Sequence, residues 1–326
     1  RAGSTPSTGE RWPDVQVYVL RRLLLFVPTL FGASLLIFVL MRLVPGDIAE
    51  ILVYQTGSES SAVQKRQIEQ IRRELGLDRP VAAQYLAWLG GAVRGDFGES
   101  LRQRRPATEV VLERLPATLE LGLAALALSG LVGLPLGILA ALRRGSGWDR
   151  LATLFAVAGQ ALPGFWLGLL LILLFSVSLH WLPTGGRGSW QQLIMPAVTL
   201  AAFGAARYAR LTRSALLDVL EQDYIRTARA KGLGTMRIVW GHALQNASIS
   251  LITVTGLQVG RLLGGAVVVE QIFAWPGLGR TTVQALLNRD FPVVMVAVVL
   301  FAVLYTLANL LTDLAYAWAN PRVRLA

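Results

Sequence analysis

The chain has 326 residues, 54% of them hydrophobic and only 16% charged, against roughly 25% charged in ordinary soluble domains. Its mean hydropathy is +0.52 and its formal net charge +11, nearly all of it arginine, a balance that reads as topological signalling and lipid contact rather than nucleic-acid binding. Cysteine is absent, which excludes disulfides, a thiol nucleophile and Cys-based metal sites, and two distant histidines, His180 and His242, argue against a His-based one.

Residues 1–17 are rich in Ser, Thr, Pro and Gly and read as a flexible tail. Arg21 and Arg22 precede the apolar run Leu23–Met41, which is too long for a signal peptide and lacks a small-residue cleavage site, so it reads as a first transmembrane helix. Leu43–Arg114 is a long polar loop with ten basic and ten acidic residues. Within it Ile68, Ile71 and Leu75 keep helical spacing up to a stop at Gly76, and Pro80 opens a second helix holding Tyr85, Leu86 and Leu89. The loop thus reads as a small helical cap, with fraying helices in a solvated loop as the alternative. Five further spans follow: Thr118–Leu142, Leu151–Leu179 with a kink near Pro163, Ile194–Ala206, Ile249–Val269 and Val293–Trp318. The fourth is the shortest apolar run and needs Arg207 and Arg210 to snorkel. The fold class is therefore an all-α polytopic membrane protein with six transmembrane helices and a small helical extracytoplasmic region. Its parts are residues 1–17, the first helix and loop over 18–114, and a membrane core over 115–320 with a polar loop at 215–247.

Charge sets the orientation. With six spans, sixteen Lys and Arg fall on the side of the N-terminus, Arg143–Arg150, Arg207–Ser248 and the tail, against Arg187, Arg280 and Arg289 in the short loops opposite. Both termini are expected to be cytoplasmic.

Several chemistries are excluded. A P-loop needs Lys followed by Ser or Thr, but Lys65 precedes Arg66 and Lys231 precedes Gly232. If nucleotide drives this protein, another chain hydrolyses it. The acids nearest the spans, Glu120, Glu270 and Asp313, lie near span ends, which disfavours a buried ion-coupling site. No span holds a Lys or His to partner a Ser nucleophile, so the chain is not expected to be an enzyme.

The polar stretch Asp223–Ala247 carries Arg226, Arg229, Lys231 and Arg237 and is broken by Gly232 and Gly234. It reads as two short helices at the membrane surface with the glycine pair as elbow, since glycine accepts φ > 0. An interfacial helix that only anchors a loop is the plain alternative. In the fifth span Gly256, Gly260 and Gly264 recur every four residues as a packing face. Arg261 sits mid-span, where a charge costs about 2.5–3.5 kcal/mol. It needs either a partner such as Asp313 or Asn309, or a water-filled substrate path shared with Gln160 and Gln258.

Arg226-Thr-Ala-Arg-Ala-Lys-Gly232 followed by His242-Ala-Leu-Gln-Asn-Ala247 resembles the coupling loop of binding-protein-dependent ABC importers. The general pattern is Glu-Ala-Ala, three residues, Gly, nine residues, Ile, one residue, Leu-Pro. This chain keeps Ala228, Gly232 and Leu244 and departs at Arg226, Thr227, His242 and Gln245, as the dipeptide/oligopeptide/nickel permeases do. Leu43-Val-Pro-Gly-Asp47, Arg114-Leu-Pro-Ala-Thr-Leu-Glu-Leu121 and Glu270-Gln-Ile-Phe-Ala-Trp-Pro-Gly-Leu-Gly279 resemble the same family, and the long loop is similar to that of its first, B-type, permease subunit. The likeness spans about Val19 to Asn320.

The resemblance implies a type I ABC importer permease of a bacterial inner membrane, with no cofactor of its own, pairing with a second homologous permease as a heterodimer. It further implies two ATPase domains that hold ATP and Mg, and an extracytoplasmic substrate-binding protein. Asp223, Tyr224, Arg226, Ala228, Arg229, Ala230, Lys231, Gly232, Leu233 and Gly234 become the ATPase-coupling residues. Leu233, Met236, Ile238 and Val239 are expected to seat the elbow on the spans, and Asp47, Trp275 and Pro276 to shape the outer mouth. Peptides are the expected cargo. A self-sufficient ion-coupled carrier or channel is the competing reading, in which the basic elbow has no evident purpose.

Overall fold

The computed structural model describes residues 13–43, 53, 61–74 and 76–319. Asp47 and most of the 1–17 tail lie outside them, as does the turn after the first helix. Within the described residues the chain is helical with no strand. In order these are α1 (Pro13–Leu43), α2 (Ser61–Glu74), α3 (Val81–Val93), α4 (Ala107–Leu112) and α5 (Leu115–Leu142). Then come α6 (Gly147–Ala161), α7 (Gly164–Leu171, continued by a wide π turn Ile172–Ser178) and α8 (Trp190–Leu220). The elbow supplies α9 (Asp223–Ala230) and α10 (Thr235–Ile238, continued by a π turn Val239–Ala243). The chain closes with α11 (Leu244–Ile272), α12 (Leu278–Leu287) and α13 (Phe291–Ala319).

Three helical stretches among the described residues are long and apolar enough to cross a bilayer: Leu24–Leu43, Ala107–Leu142 and Phe291–Ala315. A fourth is the pair α6–α7, if its 105° bend is one broken span. The bend sits at Leu162–Pro163, where proline cannot donate to the ladder and holds its neighbour extended. α8 and α11 are 31 and 29 residues long. The apolar run Ile194–Ala206 understates α8, which continues unbroken through Arg207, Arg210 and Arg213 for 31 residues, roughly 46 Å. The reason is that this second half is amphipathic, with Tyr208, Thr212, Leu216 and Val219 buried on one side.

Contacts divide the chain into two units. One comprises Arg1–Phe26, Ala117–Gly279 and Leu304–Ala326; the other Val27–Pro116 and Arg280–Val303. In the larger unit α5 and α8 pack with little between their backbones. A Cβ on Gly133 would lie 2.5 Å from Ala205 O, and one on Gly137 2.6 Å from Ala209 O. On α11, Gly256 and Gly260 press against Thr312 and Tyr305 of α13, with hypothetical Cβ contacts of 2.0 and 2.5 Å. Gly264 does not share that face: nothing lies within 4 Å of its Cβ position. A four-residue step overshoots a 3.6-residue turn, so two such steps carry the third glycine off a straight seam.

At one end of this unit Asp149, 6% exposed, takes both donors of Arg213 (Nε 2.6 Å, Nη2 3.0 Å) and the Gly145 N–H, joining α6 to α8. Asp149→Asn keeps the shape and removes the charge. It is expected to cost about 1.5–3 kcal/mol, the range for hydrogen bonds to charged groups, read as a lower melting temperature of the purified chain. An unchanged melt would show the pair to be idle.

The smaller unit holds the helical loop region. Gly76, at φ +62°, ends α2, with Leu77 N–H reaching back to Arg72 O at 2.8 Å. Tyr85 of α3 is 5% exposed, its hydroxyl 2.9 Å from Ser34 Oγ, and it packs among Phe31, Phe38 and Trp88. Leu86 faces away and Leu89 is part-buried against the same cluster. Buried Asp290 accepts the Ser100 hydroxyl (2.5 Å) and the Leu101 N–H (3.1 Å), which fixes the turn after α3. Sequence spacing offers no signal for that pairing across 190 positions.

Candidate functional site

The elbow follows α8 after only Glu221 and Gln222. Asp223 in the first turn of α9 and Arg229 in its last complement the helix dipole. Gly232 stands at φ +78°; its N–H reaches Arg229 O at 2.9 Å and the Leu233 N–H reaches Ala228 O at 3.2 Å. This pair of bonds is the Schellman closure of a helix, and it requires a left-handed residue at Gly232. Gly234 is different. It has φ −66° and simply precedes α10, so the elbow turns on one glycine rather than a pair.

The apolar side of the elbow forms a foot. Ile225 is fully buried, and Ala228, Ile238 and Ala243 cluster with Ala141 of α5 and Leu216 and Val219 of α8. Leu233 packs against the same cluster. Each fully buried Ile contributes roughly 1.5–3 kcal/mol, enough to fasten so short an element. Val239 is also fully buried. Met236 does not seat the elbow; it is 62% exposed. The π turn that starts at Val239 rotates the following residues and leaves Trp240, 67% exposed, on the open side as well.

The other side of the elbow is open. Asp223, Tyr224, Arg226, Arg229, Ala230, Lys231, Gly232 and Gly234 are all exposed, whereas Ala228 and Leu233 turn inward. The Arg226–Asp223 pair at 3.3 Å is fully solvated and adds little. The result is a cationic face beside exposed Tyr224, Met236 and Trp240. The four-residue spacing of Met236 and Trp240 was the signal in the sequence for this apolar rim.

α8 joins this foot to a second buried cluster at its other end. There Met195, Ala197, Leu200 and Ala201 meet Leu121 of α5 and the fully buried Phe273 and Trp275 after α11. Trp275 Nε1–H donates to Ala117 O at 2.8 Å. Thr118 Oγ1 donates to the buried Glu270 Oε1 at 2.6 Å and accepts the Leu278 N–H at 2.7 Å. The stretches Arg114–Leu121 and Glu270–Gly279 are thus one hydrogen-bonded knot. Gly277 sits so close to Glu270 that a Cβ would fall 2.2 Å from Oε1. Trp275 therefore lines no mouth but pins the knot, and Pro276 is half-buried beside it.

Against the second cluster, walled partly by its Leu200, Leu262 and Val269, lies a cavity of about 340 Å³ bounded by the α6–α7 break, α8 and α11. Gln258 and Arg261 both line it; Gln160 and Asn309 do not. Gln160 instead donates to Ala156 O of its own helix at 2.9 Å. Gln258 is 2% exposed and its Oε1 has no partner. Arg261 is exposed, makes no ion pair among the described residues, and holds its guanidinium 5.4 Å from the centre of the Phe203 ring. Neither Asp313 nor Asn309 is its partner. Among the described residues no group of His, Asp and Glu could hold a metal ion.

Comparison with known proteins agrees with this architecture. Residues 133–325 match the family model of the binding-protein-dependent transport system inner membrane component, and residues 15–122 the N-terminal model of such membrane components. The di/tripeptide transport system permease protein DppB of Pseudomonas aeruginosa is 44% identical over 94% of this chain and 98% of its own length. The glutathione transport system permease protein GsiC of Escherichia coli K12 is 45% identical over the same shares. A chain of the MetNI methionine ABC transporter, solved in inward-facing conformations, superposes with a TM-score of 0.54 at 21% identity, over 65% of this chain and 96% of that one. That likeness speaks for the fold. With its elbow, its knot and this kinship over nearly its whole length, the chain is a transport permease of the type I ABC importer fold and belongs to the family of binding-protein-dependent transport system inner membrane components.

Proposed function

We propose that the chain is one of two permease subunits in an ATP-driven importer of short peptides. Both relatives are named for short peptides, di/tripeptides in one case and glutathione in the other. The elbow and both termini lie in the cytoplasm. α1, α5, the broken α6–α7, α8, α11 and α13 each cross the membrane, giving six spans. The 18–114 region faces outward and 115–320 forms the membrane core, with 215–247 as its coupling loop. Exposed apolar side chains such as Leu24, Phe31 and Leu169 meet lipid. ATP and Mg bind the two ATPase domains, and an extracytoplasmic binding protein delivers cargo.

The observation that carries this reading is the two-faced elbow. Its cationic side is free, while its apolar side is locked to α5 and α8. An ATPase groove that takes up Arg226, Arg229 and Lys231, with Tyr224 and Trp240 at its edge, can move the elbow only by moving those helices. Because α8 is continuous from the foot to the 270–278 knot, closure of the ATPase pair becomes tilt of the membrane core. Hydrolysis then resets it.

Expression with its candidate partners tests the assignment. The chain is expected to co-purify with a second permease and an ATPase, and the reconstituted complex to take up labelled dipeptide only with ATP and binding protein present. Transport by the isolated chain under an ion gradient would sink it.

A further inference from the structure

Two adjoining cavities in the smaller unit form a charged groove and an apolar slot. The groove, of about 390 Å³, is lined by Arg42 of α1, Arg73 of α2 and Arg79 of the turn before α3. Among the described residues no acid lines it. Asp78 stands outside, and Asp290, next to the lining Phe291, is already bonded to Ser100 and Leu101. All three arginines are exposed, and Arg73 and Arg79 form no ion pair among the described residues. Arg42 and Arg73 each stand in the last turn of a helix, which suits the helix dipole. That accounts for one cation at each end, but not for three converging on one groove without a carboxylate. The lip is held in place by the chain itself. Gln84 accepts a hydrogen bond from Arg42 Nη2–H and donates to the carbonyls of Leu77 (3.2 Å) and Arg79 (2.7 Å), which ties α1, this turn and α3 at one point. Gly76 N–H donates to Arg73 O at 3.1 Å, so the same turn carries the end of α2.

The slot, of about 110 Å³, shares Phe38, Arg42, Trp88, Phe291 and Pro292 with the groove. Met41 and Met295 are buried in its wall, whereas Trp88, Phe97 and Phe291 keep accessible surface. Its place in the fold says what meets it. The membrane-crossing stretch Leu24–Leu43 ends at Arg42 and Leu43, and Phe291–Ala315 begins at Phe291, so groove and slot lie at one bilayer boundary, at the depth of lipid headgroups. Leu36, Leu40 and Leu43 are exposed along α1 below them. We propose that the pair binds one anionic phospholipid. Its phosphate sits among Arg42, Arg73 and Arg79, the first part of one acyl chain enters the slot, and the rest runs along α1. A headgroup without an amine is preferred, because an ammonium would face three arginines. The lipid clamps the loop helices α2 and α3 onto the first span. The inference needs only that the chain lies in a bilayer and not what it carries.

The test uses the complete transporter in phosphatidylcholine nanodiscs doped with a phosphatidylglycerol that carries a diazirine near the ester of one acyl chain. Crosslinks on this chain are mapped by mass spectrometry, with exposed Leu36 and Leu40 as the background of ordinary lipid contact. Trp88 and Phe291 should be labelled at least about fivefold above that background, and unlabelled phosphatidylglycerol should suppress the labelling where phosphatidylcholine does not. Arg42→Gln, Arg73→Gln and Arg79→Gln together should lower it at least about tenfold, and Arg73→Gln alone, should the triple variant fail to assemble, at least about threefold. Lysine at the three positions should keep most of it, since lysine still binds phosphate as a point charge. Lys65→Gln, Arg66→Gln and Arg94→Gln together remove exposed charges of the same loop that line neither cavity, and should change it less than about twofold. Labelling at Trp88 and Phe291 no higher than at Leu36, or equal labelling by a phosphatidylcholine analogue, overturns the site. Glycerol phosphate at about 10 mM suppressing as well as the lipid would make it a site for free phosphate and overturn the lipid. Weakened affinity for the binding protein in the glutamine variant, with labelling unchanged, would give the arginines to a protein partner instead.

Discussion

Gly232→Pro is expected to abolish ATP-driven uptake while the subunit still inserts and assembles. Proline fixes φ near −65°, whereas the native backbone stands at +78°, and it removes the N–H that closes α9 onto Arg229 O. The Schellman closure cannot form, because it needs both the left-handed residue and the N–H that proline lacks. The foot of Ile225, Ala228 and Leu233 then loses its register on α5 and α8, and the cationic face no longer moves with them. Uptake in proteoliposomes should fall at least about tenfold, with co-purification of partner chains retained. Gly232→Asn is the control, because Asn visits the left-handed region at modest cost; it should keep most of the activity. Normal uptake by the proline variant would show that the elbow transmits nothing.

Trp275→Ala carries the largest expected effect on stability. The side chain is fully buried where three stretches meet, and truncating a buried Trp typically costs about 3–5 kcal/mol. Its Nε1–H bond to Ala117 O ties the turn after α11 to the start of α5. The variant should give a strongly lowered melting temperature and poor yield in detergent. Trp275→Phe keeps most of the packing and loses the indole N–H bond, while Ala117 O keeps its place in the α5 ladder, so it should lose only about 0.5–1.5 kcal/mol beyond the change in volume. A Trp275→Ala protein that melts with the wild type would mean that the knot holds nothing together.

Periodicity encodes local packing and little else. Apolar runs located α1, α5, α11 and α13 because lipid-facing and packed residues are both apolar there. The same signal understated α8, where Arg207, Arg210 and Arg213 interrupt an apolar run but not a helix. α12 leaves no such signal, since ten residues hold too few turns to stand out against Gly and Pro neighbours. Local chemistry carried far: glycine at 232 needs only its own turn to be recognised. Partnership did not. By residue type Arg261 calls for either a partner such as Asp313 or Asn309 or a polar path shared with Gln258; the guanidinium lies over Phe203 and lines a cavity with Gln258. Trp275, expected at an outer mouth, is held inside by a carbonyl 158 positions away. Contacts at such separation leave no pattern in a single sequence.

In the proposed importer a passive permease is driven from outside its own chain through the elbow. The most direct measurement is ATPase activity of the purified complex in nanodiscs, with and without its binding protein and a dipeptide mixture. Stimulation that requires both is the predicted result. Failure of this chain to co-purify with any ATPase, together with transport by the chain alone under an ion gradient, would contradict it.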